Sequence, residues 1–195
     1  MFFRKKKKIV GAKTSAKKVL VLIDWDNIFI CLHDRFKTEL RLEEKIQKML
    51  EWVQREIGEI LEGHGFIFAP EHLSFFHQKM CTNNNLRLFT CPKKKLQKPE
   101  INAKSGEIED EEDTVDETLI WFGKMMLRHP DVGFICLVAG DNDYVPLMEE
   151  AAKYNVKRAL VPPTIDSLSR SKALVKLVDI HPVTLNKMLL RLDTL

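Results

Sequence analysis

Three groups of side chains carry most of the chemistry open to this chain. Asp24, Asp26 and Asn27 directly follow the apolar run Val19–Ile23, and Asp141 and Asp143 come after Gly140 at the end of a second apolar run, Gly133–Ala139. Between them lies Asp116, beside Glu117. Brought together, such carboxylates repel: two of them about 4 Å apart do so by roughly 4 kcal/mol at an effective dielectric of about 20. Oxygen-preferring divalent ions, Mg²⁺ or Mn²⁺, are the natural compensation. An ion held by few carboxylates keeps positions for a phosphate oxygen and a water, which is the metal-assisted route to phosphodiester hydrolysis.

The elements that must position these groups can be read from spacing. Five consecutive Val, Leu and Ile residues bounded by polar groups predict a strand buried on both faces, as in a parallel sheet. In open α/β sheets ligands collect beyond the carboxyl ends of the strands, so Asp24, Asp26 and Asn27 are expected at a crevice. Ile28–Phe36 predicts one or two helical turns. Ile46, Met49, Leu50, Val53, Ile57, Ile60 and Leu61 predict a longer helix that stops at Gly63-His-Gly65. His72–His77 and Leu86–Cys91 read as strands joined through Asn83-Asn-Asn85, and Pro92–Asp113 as a long loop. Thr114–Arg128 predicts a helix with Asp113 or Thr114 as its cap and Asp116 in its first turn. Gly133–Ala139 is a second buried strand, Tyr144–Tyr154 a helix that tolerates Pro146 in its first turn, and Val156–Val161 a further strand. Beyond Ile165 a short helix, a weak strand at Leu177–Ile180 and a last helix at Thr184–Leu192 are expected. Strands and helices in alternation predict a three-layer α/β/α fold around a mainly parallel, Rossmann-like sheet. The expected division is a basic flexible arm over residues 1–17 and one domain over 18–195 with a C-terminal helical extension.

Ile23-Asp-Trp-Asp-Asn27, Asp113-Thr-Val-Asp116, Ala139-Gly-Asp-Asn-Asp-Tyr-Val-Pro-Leu147 and Ala152-Lys-Tyr-Asn-Val156 together resemble the NYN domain, including its LabA-like group, within the PIN-like nuclease superfamily. The resemblance spans about Lys17 to Val161, and its third motif is the most specific. It implies a Mg²⁺- or Mn²⁺-dependent ribonuclease. Asp24 and Asn27 match the first motif, Asp116 the acid at the helix start, and Asp141 and Asp143 the acids after the later strand. By the resemblance Asp24, Asp116 and Asp141 ligate the ion, Asp143 completes the site directly or through water, and Asn27 orients phosphate or metal. The chain departs from the pattern at Phe122, where a second helix acid is common, and at Asn142, where a small residue is commoner; Asp26, Asp113 or Glu117 are the acids left to compensate.

Two other classes fit some of the same residues. One is a catalytically weak RNA-binding or scaffold module on the same fold, which Phe122 favours. The other is a haloacid-dehalogenase-like phosphatase, with Asp24 as nucleophile and Asp26 as acid; Ile28 stands where that chemistry usually has Thr, and Asp116 has no role in it. G-x-G-x-x-G and G-x-x-x-x-G-K-[ST] patterns are absent.

Plainer readings stand beside these. A strand-end aspartate often caps a helix, and Asn27 does so as readily as it orients a phosphate. Lys93, Lys94, Lys95 and Lys98 follow a strand expected to end on the active side, where they serve either as RNA-backbone contacts or as a solvated loop. Trp25 and Tyr144 stack on bases or pack against helices. The acids from Glu107 to Glu112 read as a solvated loop.

The net charge of +3 conceals a basic start, Arg4–Lys8, a lysine cluster near Lys95 and an acidic stretch from Glu107 to Glu117. No stretch has the length of a transmembrane helix and Met1-Phe-Phe3 lacks a signal-peptide core, so a cytoplasmic protein with RNA as partner and no membrane contact is expected. Its assembly stays open between monomer and homodimer. The four cysteines show no C-x-x-C pair and read as reduced thiols, and the six histidines form no zinc pattern.

Overall fold

Val19–Ile23 forms the middle of β1 (Lys18–Asp24), whose residues from Val19 to Asp24 are all buried. The computed structural model describes residues 16–36, 42–70, 75–101, 108–112, 114–185 and 187. β1 leads into α1 (Trp25–Phe36) and α2 (Leu42–Glu56). β2 (Gly65–Pro70), α3 (Phe75–Asn83) and β3 (Leu86–Cys91) follow, then a hairpin of β4 (Lys94–Ile101) and β5 (Ile108–Glu112). The chain closes with α4 (Val115–Met126), β6 (Val132–Val138), α5 (Val145–Lys153), β7 (Lys157–Leu160), α6 (Ile165–Arg170) and α7 (Lys172–Val175).

The central sheet has five strands in the order β3-β2-β1-β6-β7, and every pairing in it is parallel. Alternation along β1 divides the core. Val19, Val21 and Ile23 are buried with Ile28, Leu32, Ile46, Met49, Val53 and Met80 of α1, α2 and α3. Leu20 and Leu22 are buried on the other face with Leu119 and Phe122 of α4 and Leu147 and Met148 of α5. The result is the three-layer α/β architecture. Because β1 lies between β2 and β6, the carboxyl ends of β1 and β6 border the point where strand order reverses, the usual ligand crevice of such sheets.

Several expected elements differ. The second strand is Gly65–Pro70, and residues from Phe75 on form a helix; His72–Ser74 lie outside the described residues. Gly65 reads as a helix stop, yet it opens a fully apolar run that ends at Pro70. Met80 and Cys81 give the following segment a buried helical face. The second helix ends at Glu56 because Gly58 adopts φ 152, and Ile60 then pairs with Val19 as an isolated bridge. Ile60 and Leu61 thus extend the helical spacing by coincidence and are buried in opposite layers.

Residues 94–101 and 108–112 form an antiparallel hairpin within the stretch Pro92–Asp113 that reads as a loop. Lys94 faces Glu112 and Lys95 faces Glu111, while Glu100 faces Glu109 and Ile101 faces Ile108 beyond a register shift, so only one registered pair is apolar and apolar periodicity gives little sign of the hairpin. Leu177–Ile180 is no strand; the Asp179 and Ile180 N–H groups both donate to the Arg158 carbonyl, and the Arg158 guanidinium holds the Asp179 carboxylate at 2.9 Å. Of the last expected helix, Leu185 and Lys187 are helical, and 188–192 lie outside the described residues, as do 1–15 of the basic arm. Lys17, at the end of that arm, donates to the Pro130 carbonyl at 2.5 Å.

Candidate functional site

Asp24 occupies the last position of β1 on the same face as Leu20 and Leu22, so its carboxyl points toward the α4 and α5 layer, and it is only 4 % exposed. Its Oδ1 accepts the N–H of Asn27 at 3.0 Å, capping the first turn of α1. Its Oδ2 accepts the Tyr144 hydroxyl at 2.8 Å. Burial pushes the carboxyl up to about 7, against the opposing pull of those two hydrogen bonds; the charges of Asp116 and Asp26 add to the rise.

The Tyr144 hydroxyl also bonds Asp116, in the first turn of α4. One phenol oxygen therefore joins two carboxyl groups. A phenol has a single proton to donate, so when both contacts are hydrogen bonds one carboxyl supplies the other proton. Asp24, the more buried, is the group suited to hold it. Tyr144 is fully buried, and burial followed by the two carboxylates drives its own pKa far upward, which keeps the hydroxyl protonated.

Asn27 has a cross-sheet role. Its Oδ1 accepts the Gly140 N–H at 2.8 Å, tying the start of α1 to the loop after β6. The Gly140 carbonyl lies 2.6 Å from the Ser171 hydroxyl, and Asn142 Nδ2 donates to the Arg170 carbonyl at 3.0 Å. A Cβ on Gly140 would sit 2.7 Å from the Cβ of Ser167, so only glycine permits this approach. The loop carrying Asp141 and Asp143 is thus held from two sides, by Asn27 and by the segment around α6.

Asp141 and Asp143 themselves are exposed, and Asp141 Oδ1 accepts the Asp143 N–H at 3.3 Å as the cap of a 3₁₀ turn, Asn142–Tyr144. The structure brings Asp24 and Asp116 together through Tyr144 and leaves Asp141 and Asp143 on the rim. Among the described residues, no group of three or more His, Cys, Asp or Glu side chains is placed to hold a metal. The pair Asp24 and Asp116 does suit a hard cation: it is an all-oxygen donor set whose mutual repulsion now requires a shared proton, and Mg²⁺ commonly takes one or two carboxylates with water completing its shell.

The remaining candidates divide. Asp26 is half-buried in the first turn of α1, and Asp113 lies outside the described residues. Glu117 is bound by Lys94 at 2.5 Å, and Lys94 also binds Glu112 at 2.8 Å. Lys93 and Lys95 are exposed, and Lys95 faces Glu111 in the register. Lys98 lies within β4. The acids of 108–112 are therefore β5, the strand opposite the lysines, rather than a solvated loop.

Neither aromatic flanking the acids is open for base stacking. Trp25 is 2 % exposed and stacks on Phe29 with ring centroids 5.6 Å apart, while Tyr144 has no exposed surface. Phe122 is a core residue, with its ring 5.0 Å from those of Phe66 and Phe89 and 5.5 Å from that of Phe68. Sequence reasoning missed the Tyr144 hydroxyl and Ser171. The first had a signal: a tyrosine that is buried needs a partner for its O–H, and acids were the nearest polar groups on offer. Compared with known proteins, the chain matches no family model, no curated protein and no solved structure.

Proposed function

We propose that this chain is an NYN-like, divalent-metal-dependent ribonuclease with its centre at Asp24 and Asp116. The observation that carries the reading is the convergence of these two carboxyls on one phenol oxygen at the switch point of the sheet. Mg²⁺ or Mn²⁺ bound there would lower the pKa of a water and polarise a phosphate oxygen. Asp24 and Asp116 hold the ion, the rim acids Asp141 and Asp143 act on it through water, and Asn27 keeps the rim loop in place through Gly140. RNA reaches the centre along the edge where β3 ends, which leads into the lysines of β4. No helix among the described residues is long and apolar enough to cross a membrane.

A specific observation favours a second reading, an RNA-binding module without hydrolysis. Tyr144 fills the space between the carboxyls, and Asp141 and Asp143 stand outside the buried pair. The phosphatase alternative gains no such support, since both oxygens of its nucleophile Asp24 accept hydrogen bonds and the residue is buried.

End-labelled single-stranded RNA incubated with the wild type, Asp24→Asn and Asp116→Asn in EDTA, Mg²⁺ or Mn²⁺ separates the readings. Metal-dependent cleavage lost by at least about a hundredfold in both variants is the expected outcome. Binding without cleavage in every metal would move the assignment to the non-hydrolytic module.

A further inference from the structure

We infer that the Tyr144 hydroxyl competes with divalent cations for the Asp24 and Asp116 pair and so sets the ion concentration at which the site fills; the inference rests on the metal-dependent reading above. Asp24 Oδ2 and Asp116 Oδ1 meet at the same phenol oxygen, which lies 2.8 Å from the former. Mg²⁺ requires oxygen ligands at about 2.0–2.1 Å and tolerates little departure from octahedral geometry. An ion shared by those two oxygens would need the space that the phenol oxygen occupies.

Asp24 offers no easy alternative, because its other oxygen accepts the Asn27 N–H that starts α1. Nor can the ring step aside into solvent. Tyr144 is fully buried in the cluster that contains Leu22, Leu119 and Leu147, and the Asp141 cap and α5 fix the backbone on either side of it. An ion placed between Asp24 Oδ2 and Asp116 Oδ1 therefore displaces the hydroxyl from both carboxyls, and it does so against the packing that holds the ring. Tyr154, the second of the two tyrosines in the chain, is partly exposed and lies away from the pair, where it accepts a bond from Arg128 at 3.2 Å.

Tyr144→Phe removes the oxygen and keeps the ring. Melting temperature is followed against MnCl₂ for the wild type, Tyr144→Phe and Asp24→Asn, since an ion that binds only the folded chain raises it. The expected result is that Tyr144→Phe reaches a given rise in melting temperature at about tenfold lower Mn²⁺ than the wild type, the size of one competing hydrogen bond. Asp24→Asn should lose the shift. An unchanged or higher Mn²⁺ requirement in Tyr144→Phe, with the wild type still showing an Asp24-dependent shift, overturns the competition and leaves the metal reading standing. Absence of any Asp24-dependent shift in both proteins overturns the two together.

A second measurement does not depend on the folding of that variant. In Tyr154→Phe, 3-fluorotyrosine labels Tyr144 alone, and its ¹⁹F resonance should move over the same Mg²⁺ range as the melting temperature. A resonance that stays in place while the protein is stabilised by Mg²⁺ overturns the proposal.

Discussion

Asp24 illustrates how one side chain takes its character from several places at once. Its position at the end of an apolar strand places it at the crevice, burial makes its charged form costly, and Tyr144 and Asn27 supply hydrogen bonds to both oxygens. The consequence is a pH dependence with a definite sign. Folded, the carboxyl keeps its proton up to about 7, whereas an unfolded aspartate releases it near the ordinary value of 3.8. Between those values the folded chain binds more protons, so in EDTA the contribution of Asp24 to stability falls as pH rises and is least above about pH 7. Asparagine imitates the protonated form: it still accepts the Asn27 N–H and can donate to the Tyr144 oxygen, leaving Tyr144 free to donate to Asp116. Asp24→Asn should therefore melt higher than the wild type at pH 8 and close to it at pH 4.5. The upper bound is about 4 kcal/mol, at about 2–4 °C per kcal/mol for a chain of this size. Thermal melts at the two pH values check this, and a lower melting temperature for the variant at pH 8 would sink it.

At the scale of elements, the β4 and β5 hairpin changes what the lysines can do. Lys94 is shared between Glu112 and Glu117, and Lys95 stands opposite Glu111. Such exposed pairs add little stability, typically no more than about 1 kcal/mol. They do screen the lysines from a phosphate backbone. Glu111→Gln combined with Glu112→Gln should raise affinity for single-stranded RNA several-fold at about 50 mM KCl and lose that advantage near 0.5 M, because the gain is electrostatic. Fluorescence anisotropy of a labelled oligonucleotide across a KCl series tests it. Equal affinities at low salt would show that this strand takes no part in RNA contact. The hairpin also shows why Pro92–Asp113 looks like a loop: three of its four registered pairs join charged residues, which leaves no apolar period to detect. The converse holds at the start of α3: the run His72–His77 reads as a strand, but Met80 and Cys81 supply the buried face of a helix over Phe75–Asn83.

For the molecule as a whole, Phe122 marks the balance between core and site. It lies on α4, the helix that carries Asp116, in a cluster with Phe66, Phe68 and Phe89 that joins α4 to β2 and β3. Phe122→Ala removes a buried ring from this cluster, and such truncations cost about 3–5 kcal/mol, or roughly 10 °C in melting temperature for a domain of this length. A loss below about 1 kcal/mol in denaturant melts would contradict its role as a core residue. An acid at this position would be buried among aromatic rings that offer its carboxylate no hydrogen-bond donor, so this face of α4 is committed to packing rather than to ligands.

Local patterns in the chain suffice for the parallel α/β architecture, for the strands β1, β3, β6 and β7, and for placing Asp24 at the end of β1 and Asp141 in the loop after β6. Those features rest on local patterns: unbroken apolar runs, helical spacing and the polar residues that end them. Which acids meet depends instead on contacts between elements far apart in the chain. Tyr144 and Asp24 are separated by 120 positions and Tyr144 and Asp116 by 28, and they converge because β6 returns beside β1 while α4 covers the same face. Burial, which depends on all three layers, then raised the pKa of Asp24 and left Asp141 and Asp143 exposed on the rim. Composition and spacing carry no trace of that difference, because it arises from how much of each side chain the rest of the chain removes from water.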